Sequence, residues 1–143
     1  MKISQSGIIN IAANPSQTAE LFSIIGSTLW DDRLDVTLFS GNGYNAGSVF
    51  SINENDGYCI YIIIDFKPEH GRILYAQTKP GLSAGTIEFR ISETDTGHSQ
   101  VAIQLSLTAL TLNGHDELSQ IDDFKFLKMI RKWESNINNY LSN

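Results

Sequence analysis

Residues 116–143 read DELSQIDDFKFLKMIRKWESNINNYLSN. Ile121, Phe124, Leu127, Ile130, Trp133, Ile137 and Leu141 recur there at spacings of three and four, which predicts one amphipathic helix with these side chains along its apolar stripe. Asp116 is placed as the cap. Acidic Asp116, Glu117, Asp122 and Asp123 fall in the first half and basic Lys125, Lys128, Arg131 and Lys132 in the second, the order that the helix dipole favours. Such a stripe needs an apolar surface to cover, so the residues before it are read for one.

They supply a sheet. Ile3 to Ala12 alternates, with Ile9 and Ile11 on one face and Ile8 on the other, and is read as a first strand. Asn14-Pro15-Ser16-Gln17 then has the form of a helix start, with Asn14 as N-cap, Pro15 at the first helical position and Gln17 reaching back. Ala19, Phe22, Ile25 and Leu29 form the expected buried stripe, broken near Gly26-Ser27 into a second short helix that ends at Trp30-Asp31-Asp32. From Arg33 the pattern changes to period two. Strands are expected near 34–39, 47–53, 58–66, 72–78, 85–92 and 98–112. Turn clusters separate them, among them Ser40-Gly41-Asn42-Gly43, Glu54-Asn55-Asp56-Gly57 and Pro68-Glu69-His70-Gly71. Links this short make successive strands antiparallel neighbours, because a parallel crossover is longer.

Two strands separate their faces cleanly. Ile87, Phe89 and Ile91 alternate with Glu88 and Arg90, and Val101, Ile103, Leu105 and Leu107 alternate with polar residues. The run Tyr58-Cys59-Ile60-Tyr61-Ile62-Ile63-Ile64 does not alternate, and its facing stays open. The fold class is α+β, a curved antiparallel sheet of about seven strands around a long C-terminal helix, in one domain over residues 1–143.

Composition excludes several functions. A net charge of -6 disfavours a nucleic-acid face, since phosphate neutralisation needs clustered cations. The basic residues of the last helix alternate with acidic ones and read as a solvated face. The longest apolar run, Cys59 to Ile64, is too short for stable membrane insertion, and the opening residues lack a signal-peptide pattern, so a cytoplasmic location is expected. Cys59, the single cysteine, is read as a buried, inert thiol.

Catalytic patterns are missing too. His70, His98 and His115 are too far apart for a helical metal site, and no cofactor loop or nucleophile elbow is present. Asp31-Asp32 and Asp122-Asp123 are adjacent pairs whose side chains diverge, so they read as helix ends. No catalytic residue, metal ligand or cofactor is assigned.

Several local words lie in a telling order. Asn14-Pro15-Ser16-Gln17-Thr18-Ala19-Glu20-Leu21-Phe22 after the first strand, Trp30, Gly47-Ser48-Val49-Phe50-Ser51-Ile52, Arg72-Ile73-Leu74-Tyr75 and the Gly97 turn before Val101 together resemble the START-like (SRPBCC) helix-grip superfamily. That superfamily includes plant pathogenesis-related allergens, polyketide aromatase/cyclases, lipid-transfer domains and relatives of chaperone-ATPase activators. The resemblance covers nearly the whole chain, and it implies a cavity between the concave sheet and the final helix. Its expected walls are Phe50, Ile52, Ile73, Tyr75, Ile87, Phe89, Ile103 and Leu105, with Phe124, Leu127 and Ile130 from the helix. Tyr61, Tyr75 and Thr108 are the polar groups expected to orient a ligand. The competing expectation is that the same large side chains simply fill a core.

Three functions follow from the resemblance. The leading one is a carrier or sensor that binds a small hydrophobic or aromatic molecule in a cavity of a few hundred Å³, a typical ligand-site size. The second is a cyclase- or hydratase-type enzyme in the same cavity, with Asp65, Tyr61 or Tyr75 moving a proton. The third is a protein-interaction module that uses the outer surface. Oligomeric state is left open, with 34–39 the candidate edge strand for self-pairing.

Overall fold

The computed structural model describes residues 1–54 and 57–143. Its elements run β1 (Lys2–Ile11), α1 (Pro15–Leu21), α2 (Ile24–Trp30), β2 (Asp35–Ser40), β3 (Val49–Glu54), β4 (Gly57–Lys67), β5 (Arg72–Lys79), β6 (Ser83–Glu93), β7 (Ser99–Ala109), α3 (Leu112–Leu118) and α4 (Asp123–Leu141), with one 3-10 turn at Pro68–His70. All pairings are antiparallel, in the order β1-β7-β6-β5-β4-β3-β2. The meander β2 to β7 follows from the short turns, and β1 joins beside β7 to complete seven strands. The turn expected at Glu54-Asn55-Asp56-Gly57 lies partly outside the described residues.

The inner face carries the core. Ile9 and Ile11 are buried and Ile8 is exposed, as the alternation of β1 requires, and β6 and β7 bury the side chains assigned to their dry face. In β4 the open question is resolved: Cys59 and Ile63 are buried, while Ile62 and Ile64 face solvent. Register shifts at Leu38/Ser40 and Ile63/Asp65 each add a residue to one strand, which bends that side of the sheet.

The capping box of α1 forms as read: Gln17 N donates to Asn14 Oδ1 at 2.9 Å and Asn14 N to Gln17 Oε1 at 3.4 Å. The stripe of the two short helices does not follow the expected positions. Ser23 caps a separate α2, its Oγ accepting from Gly26 N at 2.9 Å, and this resets the helical phase. Thr18, Ala19, Leu21, Phe22 and Ile24 are therefore buried, and Ile25 and Leu29 point outward.

The C-terminal stretch is two helices rather than one. The cap of the long helix is Asp122, which accepts from Lys125 N at 2.8 Å, and a short α3 precedes it. Asn113-Gly114, read as a turn, lies inside α3, whose cap is Thr111. Gly114 serves close approach, because a Cβ there would collide with the Leu82 carbonyl in the β5–β6 turn.

α4 lies against β1. Gly7 makes room for it: a Cβ at this position would lie 2.5 Å from Ile130 Cδ1. At the far end the carboxylate of Glu134 accepts from Asn10 N at 2.7 Å, and Asn138 both accepts from Ala12 N at 2.8 Å and donates to Asn10 O at 3.0 Å. The helix thus satisfies part of a free sheet edge that would otherwise offer a template for pairing. No helix among the described residues is long and apolar enough to cross a membrane.

Candidate functional site

A cavity of about 130 Å³ opens to solvent between the sheet, α2 and the middle of α4. The sheet supplies Phe50 and Ile52 from β3, Tyr61 from β4, Tyr75 from β5, and Ile87 and Phe89 from β6. These residues meet because the register puts Phe50 beside Tyr61 and Tyr75 beside Ile87, all on the inner face. The helical side supplies Phe22, Ile24, Ser27, Trp30 and Asp31, with Leu34 before β2 and Trp133 from α4.

The rings form a connected wall. Phe50 stacks on Tyr61 with centroids 5.3 Å apart and planes 7° from parallel, and Tyr75 meets Phe50 edge-on at 5.9 Å. Phe22 lies 4.7 Å from Phe89, which in turn lies 6.4 Å from Trp133. Such offset and edge contacts hold rings in fixed orientations beyond what area burial alone does.

The chain break between α1 and α2 sets the polar atoms. The last carbonyls of α1 have no helical partner of their own. Trp30 Nε1 donates to Leu21 O at 2.7 Å and the Tyr75 hydroxyl to Phe22 O at 2.8 Å, while Ser27 Oγ donates to Ser23 O, the N-cap carbonyl of α2, at 2.8 Å. Three wall residues are thereby locked to the backbone that precedes them. Burial pushes the phenols of Tyr61 and Tyr75 above their ordinary range, and it raises the Cys59 thiol beside Tyr61 as well. All three groups are neutral at pH 7.

Asp31 is the one charged residue in the lining, its side chain 17% exposed. Its Oδ1 accepts from Arg33 N at 3.2 Å and lies 3.6 Å from Arg33 Nε, while Oδ2 has no protein donor among the described residues.

Of the residues expected in the site, Phe50, Ile52, Tyr61, Tyr75, Ile87 and Phe89 line this cavity together. Ile73, Ile103, Leu105 and Ile130 are buried in the core outside it, and Thr108, expected to orient a ligand, is exposed because the alternation of β7 turns it to the opposite face from Leu105 and Leu107. Phe124 and Leu127 are not buried at all, at 73% and 45% exposure, and Trp133 takes the place on α4 that they were expected to hold. The cause is helical phase. Each step of three residues falls about 60° short of a full turn, so Phe124, Leu127 and Ile130 walk around the helix. The buried stripe is Phe126, Ile130 and Ile137, flanked by Trp133, and Phe124 lies roughly 140° from its centre. A helical wheel drawn on Phe126 would have found it.

Asp65, one candidate proton carrier, lies outside the cavity and pairs with Arg72 at 3.3 Å. Phe22, Trp30, Asp31 and Trp133 belong to the site without having been assigned to it, since the first three reach the sheet through the α1–α2 break and Trp133 through the seating of α4. Among the described residues no three His, Cys, Asp or Glu side chains group closely enough to hold a metal ion. A second recess, of about 400 Å³, is lined by Asn10, Thr94, Thr96, His98 and Asn138 together with Ile11 and Ala12, and no carboxylate, lysine or arginine lines it.

This architecture recurs in solved structures. Ara h 8.0201 superposes with a TM-score of 0.72 at 13% identity, over 100% of both chains. The chain has a helix-grip fold. The major latex-like protein 151 of Panax ginseng shares the helix-grip architecture at a TM-score of 0.68 and 15% identity, over 98% of this chain and 97% of that one. DynU16, a protein of the dynemicin biosynthetic locus, matches at a TM-score of 0.67 and 11% identity over 98% of this chain and 47% of its own. No family model and no curated protein matches the sequence. At these identities the likeness carries the fold, and function rests on the site.

Proposed function

We propose that this protein is a non-catalytic carrier or sensor that holds a small apolar or aromatic molecule in the ring-lined cavity under α2. The observation that carries the reading is the connected aromatic wall around an open space of about 130 Å³. Desolvation of a flat apolar ligand between fixed rings supplies the binding free energy. The size narrows the ligand class. Lipids and polyketides need cavities of several hundred Å³, whereas one of about 150 Å³ is filled by benzene. The occupant is therefore a single ring or its aliphatic equivalent.

A cyclase-type reaction has less support. Tyr75 holds its hydroxyl on a backbone carbonyl, and both cavity phenols resist ionisation. Neither is poised to move a proton near neutral pH.

Both tryptophans of the chain, Trp30 and Trp133, line the cavity, so intrinsic fluorescence reports directly on its filling. Titration with ethylbenzene should give a saturable change that Ile87→Trp, which fills the space from β6, abolishes. A linear, non-saturating response in the parent protein would rule out the reading. Native mass spectrometry of protein purified from its own host then identifies the resident molecule.

A further inference from the structure

The carboxylate at the mouth of the cavity selects the charge of the ligand. We propose that the occupant is a small organic cation, a single ring bearing a protonated amine, with the ring between Phe22, Phe50 and Phe89 and the ammonium at Asp31. This rests on the cavity being a ligand site, and it adds the chemistry of the head group.

The placement of Asp31 argues for it. A carboxylate beside an aromatic wall is not needed by the fold: Asp31 caps the end of α2 through its backbone N–H, which donates to Ser27 O at 3.1 Å, and any residue supplies that group. Its side chain closes a local turn, with Oδ1 accepting from Arg33 N at 3.2 Å and lying 3.6 Å from Nε of an Arg33 side chain that is 70% exposed, and Oδ2 has no protein donor among the described residues. Exposed pairs of this kind contribute little and exchange readily for a better partner.

Depth and polarity run in one direction through the cavity. Phe50 and Phe89 at its floor are buried, whereas Trp30, Asp31 and Leu34 at the opening are partly exposed. A ring can enter fully while an ammonium stops at the rim, keeping part of its hydration and gaining a charge-assisted hydrogen bond. Trp30, adjacent in sequence and fixed by its bond to Leu21 O, adds the ring quadrupole that attracts cations. An anion at the same place would meet Asp31, with the Arg33 guanidinium already turned to that carboxylate and the Tyr75, Ser27 and Trp30 protons engaged by the backbone, and a molecule of net charge -6.

The test compares isosteres at pH 7, following tryptophan fluorescence and titration calorimetry: benzylammonium, ethylbenzene and benzoate. Benzylammonium should bind about tenfold more tightly than ethylbenzene, and benzoate more weakly than either. Asp31→Asn should abolish the preference, bringing the ratio of benzylammonium to ethylbenzene affinity to about one. Arg33→Gln, which removes the competing guanidinium, should tighten benzylammonium alone, so the proposal does not depend on one variant. If ethylbenzene binds as tightly as benzylammonium and neither substitution separates them, the cationic head group is wrong and the apolar site stands. If none of the three probes binds saturably, the site itself is wrong.

Discussion

Tyr75→Phe separates a structural hydroxyl from a ligand-binding one. The Tyr75 hydroxyl donates to Phe22 O at 2.8 Å, and that carbonyl has no other donor among the described residues. Removing the hydroxyl leaves a buried acceptor alone at the end of α1, which costs about 1–3 kcal/mol. For a chain of this size each kcal/mol lowers Tm by about 2–4 °C, so thermal unfolding should shift by roughly 2–12 °C. Urea denaturation followed by far-UV circular dichroism should give the same loss with an unchanged slope, because the surface exposed on unfolding is the same. Ethylbenzene affinity should change by less than about threefold, since a hydroxyl bound to the backbone offers a ligand nothing further. A variant as stable as the parent that has lost probe binding would refute the reasoning and return Tyr75 to the role of a ligand partner.

Three further outcomes test the packing and the titrating groups. Ile130→Ala should cost about 2–5 kcal/mol and Phe124→Ala less than about 0.5, measured by urea denaturation, because only Ile130 is buried; comparable losses would mean that α4 is rotated from the phase described. Gly7→Ala should destabilise by about 1–3 kcal/mol through the clash with Ile130 Cδ1, and Ile130→Val, which lacks that carbon, should relieve most of it in the double variant. A simple sum of the two single effects would argue against that contact. At alkaline pH the unfolded chain releases the Cys59 proton from its ordinary value of 9.0 and the Tyr61 and Tyr75 protons from 10.0, while the folded chain, with these three raised by burial, retains them. Stability is thus full below about pH 9 and falls as pH rises above it, and the urea midpoint measured from pH 8 to 11 should show this fall, less steeply in Tyr75→Phe.

Much of the fold was legible because it rests on local rules. Turn glycines and period-two runs locate β2 to β7 within a residue or two at most ends, and the Asn14 capping box starts α1 where it was read. Where reading failed, the signal was ambiguous in one dimension. Asn113-Gly114 satisfies a turn and also a helix pressed against Leu82, and only the position of the β5–β6 turn distinguishes them. The i+3 chain from Ile121 through Ile130 looked like one stripe, although Phe126, Ile130 and Ile137 form the true one.

The sequence by itself determined the seven strands, the antiparallel meander β2 to β7, the long final helix and most of the sheet half of the cavity, Phe50, Ile52, Tyr75, Ile87 and Phe89. Alternation on a strand specifies a face directly, since neighbouring side chains point to opposite sides. The tertiary structure decided the other half. Which side of β4 turns inward depends on pairing with Phe50 and Tyr75, because that strand is apolar on both faces and its own pattern is silent. Phe22, Trp30, Asp31 and Trp133 reach the cavity only through the α1–α2 break and the seat that Gly7 makes for α4. Those are contacts between residues far apart in the chain, and no local period encodes them.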